Sequence, residues 1–349
     1  MSKAAELAAL IGSQSALSDR NLIINGAMQV SQRGTSTASV TGNGYHACDR
    51  WNLELSSLGT FTISQSTDAP AGFSNSFKVD CTTADASPAA SDYMVVQQKI
   101  EAQTLRQLGY GASGAKAMTL SFYVKSNKTG TYEIMHFAAD GTRAVNSTYT
   151  IDSANTWEFK SVSIPGDPSG TMNNDNGEGL RSLFYLGVGS DRQSGTTPTD
   201  WQAYATANEA PSQTVNIADN TANEWLMTGV QLEVGEQATP FEHRSFGDEL
   251  ARCQRYYYQA GGDALNSFAY KGYLEASQFV SATHQHPVTM RASPTLTKVG
   301  TFNVTGIAQP TAVAATTVTY VWQAQKDGSA GTYGFFSNSS GGFTLDAEL

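Results

Sequence analysis

Short runs that alternate between apolar and polar side chains recur through most of the chain, and they constrain the fold more than any other feature. Side chains on a strand point to opposite faces in turn, so this pattern is typical of half-buried β-strands. In one run, Leu120, Phe122 and Val124 share a face and the residues between them share the other. Clusters of Gly, Asn, Asp and Pro separate the runs, which we take as turns. The clearest runs are residues 60–64, 76–81, 94–97, 118–125, 131–137, 157–164, 182–188 and 224–233. They predict an all-β protein with two packed antiparallel sheets.

Length and charge limit the possible functions. A chain of 349 residues is long for one domain, so two domains are expected. Hydrophobic residues make up 40% of the chain, enough for a sizeable core, and a net charge of −10 argues against nucleic acid as a partner. Cys48, Cys81 and Cys253 are widely spaced and odd in number, which predicts buried thiols and no disulfide framework. No stretch has the apolar length of a membrane span, so no membrane insertion is expected.

Two segments depart from the β pattern and suggest the domain boundaries. Residues 3–11 have helical spacing and end at Gly12, which predicts a short N-terminal helix within an attachment segment at 1–20. Residues 246–260 also begin with helical spacing, from Phe246 to Tyr257, and predict a helical joint. We therefore expect a sandwich at 21–245 and a smaller β-rich domain at 261–349, with strands at 295–306 and 316–325.

Seven segments along the chain, which we call the framework segments, together form a pattern found in known proteins. They are residues 21–35 (NLIINGAMQVSQRGT), 49–51 (DRW), 122–126 (FYVKS), 229–244 (GVQLEVGEQATPFEHR), 253–257 (CQRYY), 290–295 (MRASPT) and 346–349 (DAEL). As a set they resemble phage tail-fibre and tail-appendage proteins. The resemblance implies a virion protein, made in the host cytoplasm, that binds other virion proteins, assembles as a homo-oligomer, most naturally a trimer, and recognises host surface glycans.

The sandwich itself resembles jelly-roll carbohydrate-binding modules, whose first strand reads Asn-Leu-x-x-Asn-Gly. That family often holds a structural calcium through acidic residues in its first and last strands. Here Ala27 and Met28 follow Asn25-Gly26 where an acidic residue would be expected, which argues against calcium at that position. No cofactor is expected.

Candidate ligand residues lie in the segment 196–204. Sugar recognition needs flat aromatic faces beside groups that bond hydroxyls, and Trp201 and Tyr204 lie beside Asp200 and Gln202. These four residues are the predicted ligand site. The alternative is that Trp201 folds back as a lid on the core.

Other residues are weaker candidates for a ligand or metal site. Tyr123 and His136 lie on predicted strands and are expected to face outward. The segment 166–179 is rich in oxygen ligands, and Asp175, Asn176 and Glu178 could meet a calcium ion. It lacks the EF-hand spacing, however, and a turn-rich loop is the favoured explanation of the same residues. His284 and His286 share a face and could meet a metal on a three-fold axis, or be ordinary surface residues.

No catalytic signature is present in the sequence: it has no G-x-S-x-G, no H-E-x-x-H and no Walker loop. The expectation is a non-enzymatic protein. Two alternatives stay open, namely a purely structural virion protein such as a capsid decoration or collar fibre, and a polysaccharide depolymerase acting through carboxylates spread over the loops.

Overall fold

The alternating runs form strands, and the chain is an all-β antiparallel sandwich with a second β-rich part. A computed structural model describes residues 19–261, 268–336 and 340–349, with 45% strand and 8% helix. The chain divides into two compact units, Met1–Phe246 and Gly247–Leu349. The helix predicted at residues 3–11 lies outside the described residues.

The first unit contains the eight predicted strands, with only Trp157 falling one residue outside. In chain order its strands are β1 (Ser36–Val40), β2 (Gly44–Tyr45), β3 (Asn52–Ser56), β4 (Thr60–Ser66), β5 (Ser76–Thr83), β6 (Tyr93–Glu101), β7 (Met118–Ser126), β8 (Gly130–Ala138), β9 (Arg143–Ile151), β10 (Glu158–Ile164), β11 (Glu178–Val188), β12 (Gln202–Ala203) and β13 (Glu224–Val234). Short 3-10 turns lie at Ala102–Leu108, Ser190–Arg192, Thr206–Asn208 and Ile217–Asp219.

These strands form two sheets that pack face to face. The first sheet has the order β1-β4-β5-β13-β7-β10, and the second has the order β12-β9-β8-β11-β6-β3-β2. Leu120, Phe122 and Val124 are fully buried between them, which confirms the face assigned from the alternation. Phe122 packs edge-to-face on Phe184 of the second sheet, with ring centroids 5.2 Å apart. The main core of the unit lies between the sheets.

The second sheet is also covered on its outer face, by the segment 189–217, which we call the lid. Met135, Leu183 and Tyr185 point outward from the strands and form a second buried apolar layer with Ala210 of the lid. Among the described residues, no comparable apolar layer covers β10 of the first sheet, where Phe159 is 51% exposed. The two outer faces of the sandwich therefore differ.

The framework segments of the sequence hold each other together. The side chain of Asn25 accepts a hydrogen bond from the Val30 N–H (3.0 Å) and donates to the carbonyls of Val30 (2.8 Å) and Asp49 (3.0 Å). Trp51 Nε1 donates to the Asn25 carbonyl at 3.1 Å. Next to it, a Cβ on Gly26 would lie 2.1 Å from the Val230 carbonyl oxygen, so only glycine fits. These residues close the sandwich where its first and last segments meet.

The second unit begins with a helix and then folds as three small sheets around an aromatic core. Helix α1 spans Phe246–Gln254. The strands are β14 (Tyr257–Gly261), β15 (Ala269–Leu274), β16 (Phe279–Gln285), β17 (Thr295–Val299), β18 (Asn303–Thr305), β19 (Thr311–Ala315), β20 (Thr319–Gln325), β21 (Gly331–Phe336) and β22 (Gly342–Asp346). Helix α1 is shorter than the predicted joint, because Tyr257 already pairs with Asp346 in a sheet.

Each sheet of the second unit has three strands, in the orders β14-β22-β17, β15-β21-β18 and β16-β20-β19. The middle strand comes each time from the same stretch of chain, β20 to β22. Its inward side chains include Trp322, Phe335 and Phe343, all fully buried. The predicted strand at 295–306 is divided in two, since Gly300 adopts a left-handed φ of 59° between β17 and β18.

No helix in the described ranges combines the length and apolarity needed to cross a membrane.

Candidate functional site

Trp201, the leading predicted ligand residue, is only 8% exposed and belongs to the main core. Its Nε1 donates to the Pro165 carbonyl at 2.6 Å, and its ring packs edge-to-face on Tyr110 with centroids 5.5 Å apart. Arg143 donates to the Trp201 carbonyl at 2.7 Å. Trp201 is thus folded onto the core, as the alternative prediction for this residue had it.

The other three predicted ligand residues lie at the same end of the unit but do not form an aromatic surface with Trp201. Asp200 and Gln202 are exposed, and Gln202 pairs with Ala144 of β9 as part of β12. Tyr204 is half-buried, packs on Phe137 at 5.4 Å and donates its hydroxyl to Glu209. Ligand binding by these four residues stays a prediction. Other segments of this unit supply its exposed aromatic side chains.

His136 does not face outward with Tyr123. Both faces of β8 are apolar in sequence, so alternation alone did not decide its direction. The side chain is fully buried in the sandwich, with Nδ1 3.0 Å from the Ser182 hydroxyl. Burial lowers the pKa of His136 to about 3, because the charged imidazolium loses its hydration there.

This buried histidine predicts acid sensitivity of the first unit. Its folded pKa lies below the unfolded value, so its contribution to stability is complete above about pH 6.5 and is lost as the pH falls. We expect this group to remove about 1 kcal/mol of unfolding free energy per pH unit below pH 6.5. Urea denaturation of the wild type and of His136→Gln at pH 7, 6, 5 and 4 measures this, and parallel pH profiles for the two proteins would contradict it.

Five aromatic side chains form an open groove on the outer face of the first sheet. We call it the aromatic groove: Phe73, Tyr123, Phe159, Phe241 and His243. Its volume is about 520 Å³. Phe73 lies at its centre, with ring centroids 5.5 Å from Tyr123, 5.0 Å from Phe241 and 5.3 Å from His243. Tyr123 in turn packs on Phe159 at 5.1 Å. The groove therefore presents one continuous aromatic surface.

The sheet supplies the floor of the groove. Tyr123 of β7 lies opposite Phe159 of β10 in the ladder, so both rings point to the same outer face. On the other side of β7, Gly229 interrupts the pairing of β13 and has a left-handed φ of 62°. A Cβ on Gly229 would lie 2.6 Å from Phe73 Cζ and 3.1 Å from Tyr123 Cδ2. Glycine at this position lets the rings approach the sheet.

The segment 238–243 supplies the far wall and is held on both sides. Thr239 donates its N–H (2.8 Å) and its hydroxyl (2.7 Å) to Glu233, and the Glu242 N–H donates to Gln231 at 2.8 Å. The Glu242 carboxylate accepts from the backbone N–H of Asn21 at 2.9 Å. Because these bonds fix residue 242, its neighbours Phe241 and His243 are held in position toward the groove.

The charge on Glu242 depends on the same contacts. Burial opposes ionisation, but the Asn21 N–H and the Arg244 guanidinium outweigh burial and hold the pKa of Glu242 below its ordinary value. Glu242 thus stays ionised near neutral pH and keeps the wall attached to the first segment of the sandwich.

Two polar groups of the groove are available to a ligand. The Tyr123 hydroxyl and the His243 ring make no hydrogen bond to the described part of the chain. By contrast, Trp201 Nε1 and the Tyr204 hydroxyl are both bonded within the protein. A surface of aromatic rings with unpaired hydrogen-bonding groups at its edge suits a ligand with both apolar and hydroxyl-bearing faces.

A charged pair lies beyond one end of the groove. Lys125, two residues along β7 from Tyr123, donates to Asp68 at 2.6 Å, and Trp157 Nε1 donates to the same carboxylate at 3.0 Å. The hydrogen bond from Lys125 lowers the pKa of Asp68, against a smaller effect of burial. Both charges are therefore already paired with each other.

The oxygen-rich segment 166–179 is occupied by protein contacts. Asp167 is buried and accepts from Arg143 Nε at 2.6 Å, Asp175 accepts from the Gly177 N–H at 2.9 Å, and Glu178 lies 3.2 Å from Arg181. Within the described residues, no three His, Cys, Asp or Glu side chains are grouped so that they could hold a metal ion. The segment is placed as a turn-rich loop.

The Nε2 atoms of His284 and His286 also have partners inside the second unit. Trp322 Nε1 donates to His284 Nε2 at 3.0 Å, and His286 Nε2 lies 3.0 Å from the Thr316 carbonyl oxygen. The Tyr320 ring stacks on both imidazoles, at 5.1 and 5.7 Å. Burial lowers the pKa of His284. A metal that bound these histidines through Nε2 would have to compete with these bonds.

Comparison with known proteins gives structural neighbours but no family. No protein-family model matches the sequence, and no curated protein is significantly similar to it. Structural neighbours include the enzymatically active domain of tailspike protein 4 of bacteriophage CBA120, with a TM-score of 0.32, 15% identity and coverage of 62% of this chain. The match spans only 21% of that tailspike domain.

Other neighbours are carbohydrate-binding modules. A family 4 module has a TM-score of 0.30 with 12% identity over 60% of this chain and 98% of its own. The family 11 module from Clostridium thermocellum, solved with a β-1,3-1,4-linked tetrasaccharide, has a TM-score of 0.28 with 13% identity over 60% of this chain and 99% of its own. Likeness at this level carries no functional argument, so function has to be argued from the site itself.

Proposed function

We propose that this chain is a non-enzymatic glycan-binding protein of a phage tail fibre or tail appendage, and that the aromatic groove of its first unit is the binding site. The observation that carries the proposal is the groove: aromatic rings held on a rigid sheet, with the Tyr123 hydroxyl and the His243 ring at its edge and without a hydrogen bond to any described residue. The CH face of a sugar ring would lie on Phe73 and Phe159, and its hydroxyls would bond to Tyr123 and His243.

Removal of an aromatic platform tests this proposal. We expect Phe159→Ala to weaken polysaccharide binding about tenfold, which corresponds to ~1.4 kcal/mol, because the sugar loses its main apolar contact there. Phe159 is already 51% exposed, so the variant should keep its fold. Tyr123→Phe should lose a smaller amount, about 1 kcal/mol, since it removes one hydrogen bond and no ring. Affinity electrophoresis through gels containing bacterial surface polysaccharides measures both.

The matched control is Tyr273→Ala in the second unit, which removes an aromatic side chain that is 62% exposed and distant in sequence from the groove. This variant should bind like the wild type. Equal loss in the control and in Phe159→Ala, or no loss in either, would count against the groove. Gln202→Ala is a further comparison, because it addresses an exposed residue of the ligand site predicted from the sequence.

The phage assignment is supported by the framework segments of the sequence, and the oligomer by their resemblance to trimeric fibres. Weak binding at each site would then be strengthened by multivalency.

Gold labelling of particles with an antibody to this chain tests the location, and label confined to the head lattice would favour a decoration protein instead. Light scattering tests the trimer. Release of new reducing ends from bound polysaccharide would contradict the non-enzymatic reading.

A further inference from the structure

We infer that the aromatic groove takes uncharged saccharides and discriminates against glycans that carry carboxylates or phosphates. This inference rests on the proposed function and specifies the ligand class of the same site.

The composition of the groove lining disfavours anionic ligands. Its lining, all within the described residues, contains no Asp, Glu, Lys or Arg. Three of its five rings, those of Phe73, Phe159 and Phe241, have no hydrogen-bonding atom at all. An anionic group placed on these three rings would lose hydration without gaining an ammonium or guanidinium partner, and such a loss disfavours binding strongly. A neutral sugar gives up only hydroxyl hydration, which Tyr123 and His243 can replace.

The nearest charges along the strands are already paired with each other. Lys125 is the cation next to Tyr123 on the outer face of β7, but its ammonium is bound to Asp68 at 2.6 Å. An anionic ligand would compete with the Asp68 carboxylate, which Trp157 also holds in place through its Nε1. Since the charge of Lys125 is already offset by Asp68, the pair contributes little net attraction for anions. The net charge of −10 adds a general repulsion.

The experiment compares chemically matched polysaccharides. Bacterial surface polysaccharides that contain uronic acids are immobilised in their native form and after carboxyl reduction, beside naturally neutral ones, and binding of the full chain is measured. We expect neutral and carboxyl-reduced forms to bind at least about fivefold more tightly than their acidic parents. We also expect little change between about 0.05 M and about 0.5 M salt, because screening acts only on charge.

A pair of charge variants gives an independent readout. Ser161 is exposed on β10, two residues from Phe159 on the same face and opposite Ser121. For an uncharged ligand, Ser161→Lys and Ser161→Glu should change affinity equally, within about twofold, since no Coulomb interaction distinguishes them. For an anionic ligand the lysine variant would bind more tightly and the glutamate variant more weakly.

The outcomes separate this inference from the proposed function. Tighter binding of acidic parents, with opposite effects of the two Ser161 variants, would overturn the ligand class and leave the groove as a glycan site. Absence of binding to every polysaccharide in both forms would overturn both. A third outcome is that Phe159→Ala binds with unchanged affinity and still prefers the neutral polysaccharides. The neutral polysaccharide would then bind outside the groove, and the inference would also be overturned.

Discussion

Replacement of Asn25 by alanine is expected to lower the unfolding free energy of the first unit by about 3 to 5 kcal/mol, the largest effect predicted for a single side chain here. The fully buried Asn25 side chain satisfies the Val30 N–H and the carbonyls of Val30 and Asp49. Alanine leaves these groups buried without partners. It also has to adopt the left-handed φ of 58°, which asparagine tolerates better. Urea or thermal denaturation of the purified chain measures the loss.

Two variants separate the causes of this effect. Asn155 has the same φ of 58° but an exposed side chain, so Asn155→Ala should cost only about 1 kcal/mol, the strain alone. Asn25→Gly relieves the strain but still removes the three hydrogen bonds, and it should remain strongly destabilising. If Asn25→Ala is no worse than Asn155→Ala, the closure of the sandwich does not depend on this side chain.

The second large effect is expected at Glu209, which fastens the lid to the second sheet. Its buried carboxylate accepts from the Tyr185 hydroxyl at 2.7 Å, from Arg192 Nη1 at 2.5 Å and from the Tyr204 hydroxyl. Burial, followed by the charge of Glu209, holds the pKa of Tyr185 well above its usual range. We expect Glu209→Ala to cost about 3 kcal/mol, because it leaves Arg192 largely buried without its carboxylate. Chemical denaturation measures the change.

The double variant Glu209→Met with Arg192→Met is the control for that prediction. It removes both charges at once, and much of the lost stability should return, since no unpaired charge remains. Hydrogen exchange should show faster exchange in the lid of Glu209→Ala and not in the double variant. A double variant less stable than Glu209→Ala would show that packing by these side chains matters more than the pairing.

Strand alternation was enough to predict the sandwich but not every strand in it. The run 118–125 has one wholly apolar face, so its direction and burial followed from the sequence. Strand β9 was missed because Asn146, Ser147 and Thr148 interrupt its apolar pattern. The structure explains that composition: Asn146 is buried beneath the lid, where its amide donates to Glu133 at 2.8 Å. Because the second sheet is covered on both faces, it buries polar residues that the sequence pattern would assign to an exposed face.

The candidate site was harder to predict than the fold. Phe73 lies between β4 and β5, and Phe241 and His243 follow β13, so these three residues outside the strands come together only in the folded sandwich. Trp201 was predicted as a ligand residue because a tryptophan in a loop is costly to expose without a function, yet its loop packs against the core. One local signal did point to the groove: in the run 157–164, Trp157 and Phe159 share the face of Ser161 and Ser163, which is otherwise polar.

The three small sheets of the second unit have a consequence for its synthesis. Strands β14 to β16 and β17 to β19 flank a shared middle segment, β20 to β22, and that segment is translated after both of them. On the ribosome, the two flanking segments therefore emerge with their sheet partner still missing. Their strand edges stay unpaired until residues 319–346 have emerged, which exposes them to association with neighbouring chains. A late-folding unit of this kind is a natural point for chaperone engagement or for assembly between copies during translation.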